Sequence, residues 1–299
     1  MMKLSHESKV RLGVGIGAFV LIIGLVFGTS RLLAHSDMVR TTGILSGHLS
    51  DFDDMFDEDD SLNSGNYSAR PQQLSSTTFD ADEFRYLDFD IAAATVDVKV
   101  VDGNKARVIE RGRVANGMDA SKAATQNIAS VEDSTLKVSQ FGSDDGKAID
   151  RSVTVELPRR VAEHLKGVNA HVGSGDLQIA GVTCDGFDLF LGAGDVEFTG
   201  SVTDALSAEV GSGDVTFELY QARASSMDVS VGSGDVEMTV PSSTGFKASL
   251  TLGSGDFESD FLPLGYDGET ILNLEFDNGD KSATYRFEVD SGDMSFDSE

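Results

Sequence analysis

A single cysteine, Cys184, stands in 299 residues, so no internal disulfide can form and the fold must rest on hydrogen bonds and an apolar core. The expectation for Cys184 is a small residue in a turn. Positive charge is also scarce: 23 Lys and Arg face 50 Asp and Glu, a formal net charge of −27. Binders of nucleic acid or anionic lipid headgroups neutralise phosphates with Lys and Arg, so this balance excludes both as direct partners. Histidine is nearly absent from the second half of the chain. Only His164 and His171 lie beyond the first 80 residues, neither in a metal-ligand spacing, and the phase of His171 puts it outside its strand. There is no G-x-S-x-G elbow and no G-x-x-x-x-G-K-[ST] loop; "GSDDGK" at 142–147 has the wrong spacing. The absences together lead to a non-enzymatic reading.

One stretch lacks charge altogether. Residues 12–30, "LGVGIGAFVLIIGLVFGTS", would span about 28 Å as a helix, close to the ~30 Å hydrocarbon thickness of a bilayer. Lys3, Lys9 and Arg11 precede it, which places residues 1–11 in the cytoplasm and the rest outside, with the lipid bilayer as partner of 12–30. The competing reading is a cleaved signal peptide. Ala34-His35-Ser36 only loosely resembles a cleavage site, and 19 residues exceed the usual apolar region. Residues 31–80 then read as an acidic, disordered tether, with "DFDDMFDEDD" at 51–60. Asp51 and Asp53 fit the first two positions of a calcium loop, but Met55 occupies the third.

What the chain has in abundance is glycine, 32 residues of it, and much of it recurs in one pattern. Gly173-Ser174-Gly175-Asp176, Gly192-Ala193-Gly194-Asp195, Gly211-Ser212-Gly213-Asp214, Gly232-Ser233-Gly234-Asp235 and Gly253-Ser254-Gly255-Asp256 begin 19, 19, 21 and 21 residues apart. Apolar residues alternate on both sides: Leu206, Ala208, Val210 before one corner, Val215, Phe217, Leu219 after it. Alternation of this kind predicts strands with one buried face. It slips out of phase at each "GSGD", so a bend must separate the two strands, and glycine and aspartate suit a bend. A unit of this length cannot bury its own apolar face, whereas stacked copies can, which is the logic of a β-solenoid.

Two further rungs fit the template. Leu87, Phe89 and Ile91 lead through 92–95 to Val96, Val98 and Val100; Tyr285, Phe287 and Val289 lead through Asp290-Ser291-Gly292-Asp293 to Met294 and Phe296. "ILNLEF" at 271–276 and "ATYRFEV" at 283–289, joined across Asn278-Gly279, read as a hairpin. Residues 101–158 leave the rhythm and are expected to form an antiparallel excursion capping the first rung, with room for a short helix in the Ala-rich stretch.

The run "VTVELP" at 153–158, followed by stacked "GSGDV" strands behind one membrane span, resembles a bacterial envelope family of unknown function whose β-strand-repeat domain is assigned to adhesion. The resemblance covers roughly residues 80–299. It implies a single-stranded, right-handed β-helix exposed at the cell surface, and it brings no functional residues with it.

Does the repeat also do chemistry? Stacking would align Asp176, Asp195, Asp214, Asp235 and Asp256 in a column with ~4.8 Å between rungs. Neighbouring carboxylates at that spacing repel by about 1 kcal/mol in water and about 3.5 kcal/mol at an effective dielectric of 20. The column must therefore face solvent, bond to corner N–H groups, or hold cations. Calcium β-rolls use a nine-residue repeat with a residue between the last glycine and aspartate, which this chain lacks, so structural corners are preferred over a calcium ladder. The expectation is an all-β, single-stranded parallel β-solenoid of 19–21 residues per rung. It has an antiparallel cap (81–158 with the first rung, 159–299 the repeats) and one preceding membrane helix. Its role would be that of an extracytoplasmic binding module whose acidic surface attracts cationic peptides or proteins. The alternatives are a passive calcium-stabilised stalk and a polysaccharide-active β-helix enzyme.

Overall fold

The computed structural model describes residues 66–140, 146–262 and 273–299, all of which belong to one compact unit, Gly65–Glu299. Among them no helix is long and apolar enough to cross a membrane; the span expected at 12–30 and the tether as far as residue 65 lie outside the described residues. Among the described residues eighteen strands join in one sheet system, and the pairings between rungs are parallel and in register.

Each rung has an arm before its corner and an arm after it. Leu206, Ala208 and Val210 stack on Phe187, Leu189 and Leu191 below and on Met227, Val229 and Val231 above; beyond the corner Phe198 lies between Ile179 and Phe217. The alternating apolar residues thus become columns along the solenoid axis. Phe187 and Phe198 face each other across the interior with ring centroids 4.6 Å apart. Both are buried, as are Phe217 and Leu206, and each such side chain contributes about 1.5–3 kcal/mol of burial. Long strands such as Leu177–Ala193 and Val196–Ser212 serve as the far arm of one rung and the near arm of the next. Cys184 lies on the first of them, buried, with Sγ directed at the Ser201 carbonyl at 3.9 Å. It is a core residue and not a turn residue, and burial pushes its thiol up to about 12.

The glycines explain the corners. Gly175, Gly194, Gly213, Gly234, Gly255 and Gly292 all have φ between +112° and +154°. A Cβ on any of them would also collide with the backbone carbonyl of the corresponding corner residue one rung away. Backbone conformation and close stacking each require glycine here.

The two ends depart from chain order. The rung 86–101 is not outermost: Thr135–Gln140 pairs parallel with Tyr86–Ile91, and Ala148–Pro158 with Thr95–Val101, so these two strands form the arms of a rung outside it. The expected antiparallel cap is built around that rung, from Ala129–Glu132 on one arm and Lys105–Val114 then Gln72–Asp80 on the other. Residues 72–80, read from the sequence as tether, are therefore a strand; its buried Leu74 and partly buried Phe79 gave too thin an alternation to be seen. The Ala-rich stretch holds only a 3-10 turn, Ala120–Ala123. It is pinned by Glu110, which is fully buried, accepts from Arg151 Nη1 at 2.7 Å and from Thr125 N at 2.8 Å, while Arg151 Nη2 donates to the Ala123 carbonyl.

At the opposite end the expected hairpin does not form. Asn273–Asn278 and Ala283–Ser291 both pair with Phe246–Ser254, the first antiparallel on its outer side and the second parallel on its inner side. The last rung of the chain, 283–298, thereby enters between 226–240 and 246–258. Its aromatic residues close the core: Tyr285 stacks on Phe246 at 5.0 Å, and Phe296 meets Phe287 at 5.2 Å.

Candidate functional site

The corner aspartates form one exposed column, in the order Asp176, Asp195, Asp214, Asp235, Asp293, Asp256. Each backbone N–H donates to Oδ1 of the preceding member, at 3.4, 3.3, 3.1, 2.9 and 2.8 Å in turn. The carbonyl of each aspartate accepts from the residue that opens the far arm of the preceding rung, from Val96 to Asp176 at 2.8 Å through Met294 to Asp256 at 2.9 Å. All five aspartates expected from the repeat are thus brought together. The sixth, Asp293, was readable as a corner from "DSGDM" but not as a member of the column, because its place depends on the reordered last rung.

One oxygen of each of the first five carboxylates is committed to a corner N–H, which identifies the column as a hydrogen-bonded spine of the bends. Asp214, Asp235, Asp293 and Asp256, with Glu237 and Glu258, also line an open groove of about 510 Å³. Among the described residues no three carboxylate, imidazole or thiol side chains group so as to hold a metal ion.

Outside the column the acidic residues are spaced differently. Along the far arms, in register, run Thr154, Asp97, Gln178, Glu197, Thr216, Glu237, Ser295 and Glu258. Acidic and neutral residues alternate strictly. A parallel row continues Thr199, Glu218, Thr239, Asp297. On the near arms the row is Asp88, Asn169, Asp188, Ser207, Asp228, Arg286, Ser249, Glu275. Neutral neighbours donate to the acids between them: Gln178 Nε2 to Glu197 at 2.7 Å, Asn169 Nδ2 to Asp88 at 2.9 Å, Thr199 Oγ1 to Glu218 at 3.4 Å.

Alternation puts like charges two rungs apart, ~9.6 Å, near the Debye length at physiological salt. The inserted rung maintains it. Stacking in chain order would set Glu258 beside Glu237, whereas Ser295 now separates them. The rows are surfaces of repeated negative charge whose self-repulsion has been held down.

His171 points outward as its phase required and is half-buried, with Nδ1 3.6 Å from Asp90 and its ring edge-on to Phe190. The His164 ring Nδ1 lies 3.2 Å from the Arg160 carbonyl. Basic residues concentrate in 66–166, and several meet acidic partners: Arg107 forks onto Glu156 at 2.8 and 3.0 Å, Arg160 reaches Asp82 at 2.7 Å, and Lys166 reaches Asp185 at 2.7 Å. Those partners hold the Asp82 and Asp185 carboxyls below the usual range.

No curated protein sequence matches the chain. Among solved structures, a protein provisionally named for cell adhesion from Clostridium sporogenes is 11% identical, over 77% of this chain and 100% of its own, with a TM-score of 0.43. A provisionally named adhesin from Bacteroides fragilis is 15% identical, over 78% and 98%, with a TM-score of 0.42. A provisionally named lipid binding protein from Parabacteroides distasonis is 11% identical, over 78% and 98%, at 0.27. The family model of Toastrack DUF4097 matches residues 63–296, which takes in the cap, every rung and the aspartate column. By that match the chain belongs to the Toastrack DUF4097 family.

Proposed function

We propose that this protein is a non-catalytic binding scaffold of the cell envelope, anchored by residues 12–30 and offering its solenoid to a cationic protein or peptide. The observation that carries the reading is the segregation of charge along the chain. Residues 66–166, the cap and first rungs, hold 16 acidic and 14 basic side chains, and the basic ones largely meet acidic partners. Residues 167–299 hold 25 acidic side chains and 4 basic ones. Among the described residues of this stretch the inward positions are apolar, so the acidic side chains face water on a rigid lattice. An ordered negative field of this kind raises the local concentration of cations and steers basic partners. The rows fix the spacing at which carboxylates are offered, so a partner whose basic residues repeat at ~9.6 Å gains over one of equal charge in scrambled order.

The test is a titration of residues 65–299 with two lysine-rich peptides of the same composition, one with lysine at every third position of a polyproline II chain, which sets them about 9.3 Å apart on one face, and one scrambled. Tighter binding of the ordered peptide, weakening steeply as salt rises, supports the reading. Absence of binding at low salt removes it, and equal binding reduces it to unspecific attraction.

A further inference from the structure

The position of the last rung has a consequence for association. Its near arm pairs with Ser226–Ser233 on one side and Phe246–Ser254 on the other; its far arm pairs with Val236–Val240 and Phe257–Glu258. It makes no ladder with Asn273–Asn278, the strand that precedes it in the chain and that lies beyond Phe246–Ser254. Every ladder bond of 283–298 is therefore made across the short link 279–282, to strands that a copy of the same sequence would also offer.

The link passes over Gly245, where a Cβ would collide with the Asp280 carboxylate, and Gly279 and Lys281 both take φ of +57° to make the turn. It is held by Ser282, whose N–H donates to Asp280 Oδ1 at 3.1 Å and whose hydroxyl donates to the Gly245 carbonyl at 3.3 Å. The slot also has an electrostatic specification. Its walls carry Asp228, Glu237 and Glu258 in the outward rows, and the inserted rung sets Arg286 beside Asp228 and Ser295 between the two glutamates. A rung bearing acids at those positions would lose that match.

We infer that the C-terminal rung is an exchangeable element and that the slot between 226–240 and 246–258 accepts the last rung of a second copy of this chain. Reciprocal exchange closes a dimer in which all ladder bonds are kept and only the link changes its path; one-way exchange builds longer chains. The inference is independent of the cationic partner proposed above. Since each copy brings an acidic solenoid, salt that screens it raises the exchanged fraction.

The experiment uses Ser230 and Glu288, register partners on adjacent parallel strands and both outward. At roughly 4.8 Å between strands, cysteines there satisfy disulfide geometry. Full-length Ser230→Cys and Glu288→Cys variants are unfolded, mixed, refolded together, oxidised and run on a non-reducing gel; the buried Cys184 stays out of the reaction. Exchange predicts a product of twice the chain mass in the mixture, increasing with salt during refolding. The double variant in one chain reports the register by linking within the monomer. A monomer-linked double variant with no dimer in the mixture overturns the inference. So does a dimer that forms equally when Glu288→Cys is replaced by a cysteine at Lys105 in the cap. Failure of the double variant to link at all overturns the slot itself.

Discussion

The backbone N–H of Asp293 donates to Oδ1 of Asp235 at 2.9 Å although 58 residues separate them, while Asp256, nearer in sequence to Asp235, donates in turn to Asp293 at 2.8 Å. That exchange of places shows that the corner column is ordered by stacking and not by chain sequence. It also gives the carboxylates a structural task. Replacing Asp235 by Asn keeps the accepting oxygen and removes one like charge, so Asp235→Asn should match or slightly exceed the parent stability. Asp235→Ala should lose about 0.5–1.5 kcal/mol, the usual worth of one hydrogen bond. Urea midpoints of the two variants check this. Calcium and magnesium should raise the melting temperature by the same small amount; a large calcium-selective rise abolished in Asp235→Asn would instead make the column a metal site.

At Gly234, φ is +141° and the neighbouring Gly213 carbonyl occupies the space of a side chain. Gly234→Ala must strain the bend and push two rungs apart, a loss of at least about 2 kcal/mol. Ser233→Ala, one residue away and exposed, should stay within about 0.5 kcal/mol. Chemical denaturation of the pair separates a requirement for glycine from general sensitivity of the corner.

Among the described residues the Tyr285 hydroxyl is buried without a hydrogen-bond partner. An unsatisfied buried hydroxyl costs about 1–3 kcal/mol, so Tyr285→Phe should raise stability at pH 7. Burial pushes this phenol up from 10.0 to about 12, and the Cys184 thiol from 9.0 to about 12. The folded protein thus holds two protons more tightly than the unfolded chain. The corresponding stability is fully present below pH 9 and is lost as pH rises toward 12. Denaturation midpoints between pH 8 and 11 should show this alkaline decline, shallower in Tyr285→Phe; a variant with an unchanged slope and lower stability at pH 7 would contradict it.

How much of this was legible in the sequence differs from element to element. The rungs from 165 to 240 were, because Leu206, Ala208 and Val210 repeat the phase of Met227, Val229 and Val231 and the "GSGD" spacing fixes their register. The hairpin expected at 271–289 failed for an instructive reason. Asn278-Gly279 is a true turn, with φ of +57° at Gly279, but local turn chemistry does not say which strand lies between the two arms. Tertiary pairing decided that, through a core of Phe246, Tyr285 and Phe296 and a charge pattern visible only in three dimensions. For the same reason the aspartate column was foreseen but its sixth member was not, and the far-arm row is readable over Gln178, Glu197, Thr216 and Glu237 while its continuation through Ser295 to Glu258 depends on the reordered last rung.

The claim at the centre of this account is that those rows, and not net charge alone, engage a cationic partner. Changing Glu197, Glu237 and Glu258 to Gln removes three charges from one row and keeps the polar atoms that hydrogen-bond their neighbours. Changing Asp102, Asp119 and Asp133 to Asn removes three charges from the cap. Affinity for the ordered lysine-rich peptide should fall at least fivefold in the row variant, with a weaker dependence on salt, and stay within twofold of the parent in the cap variant. Equal losses in the two variants, or none in either, would contradict the account.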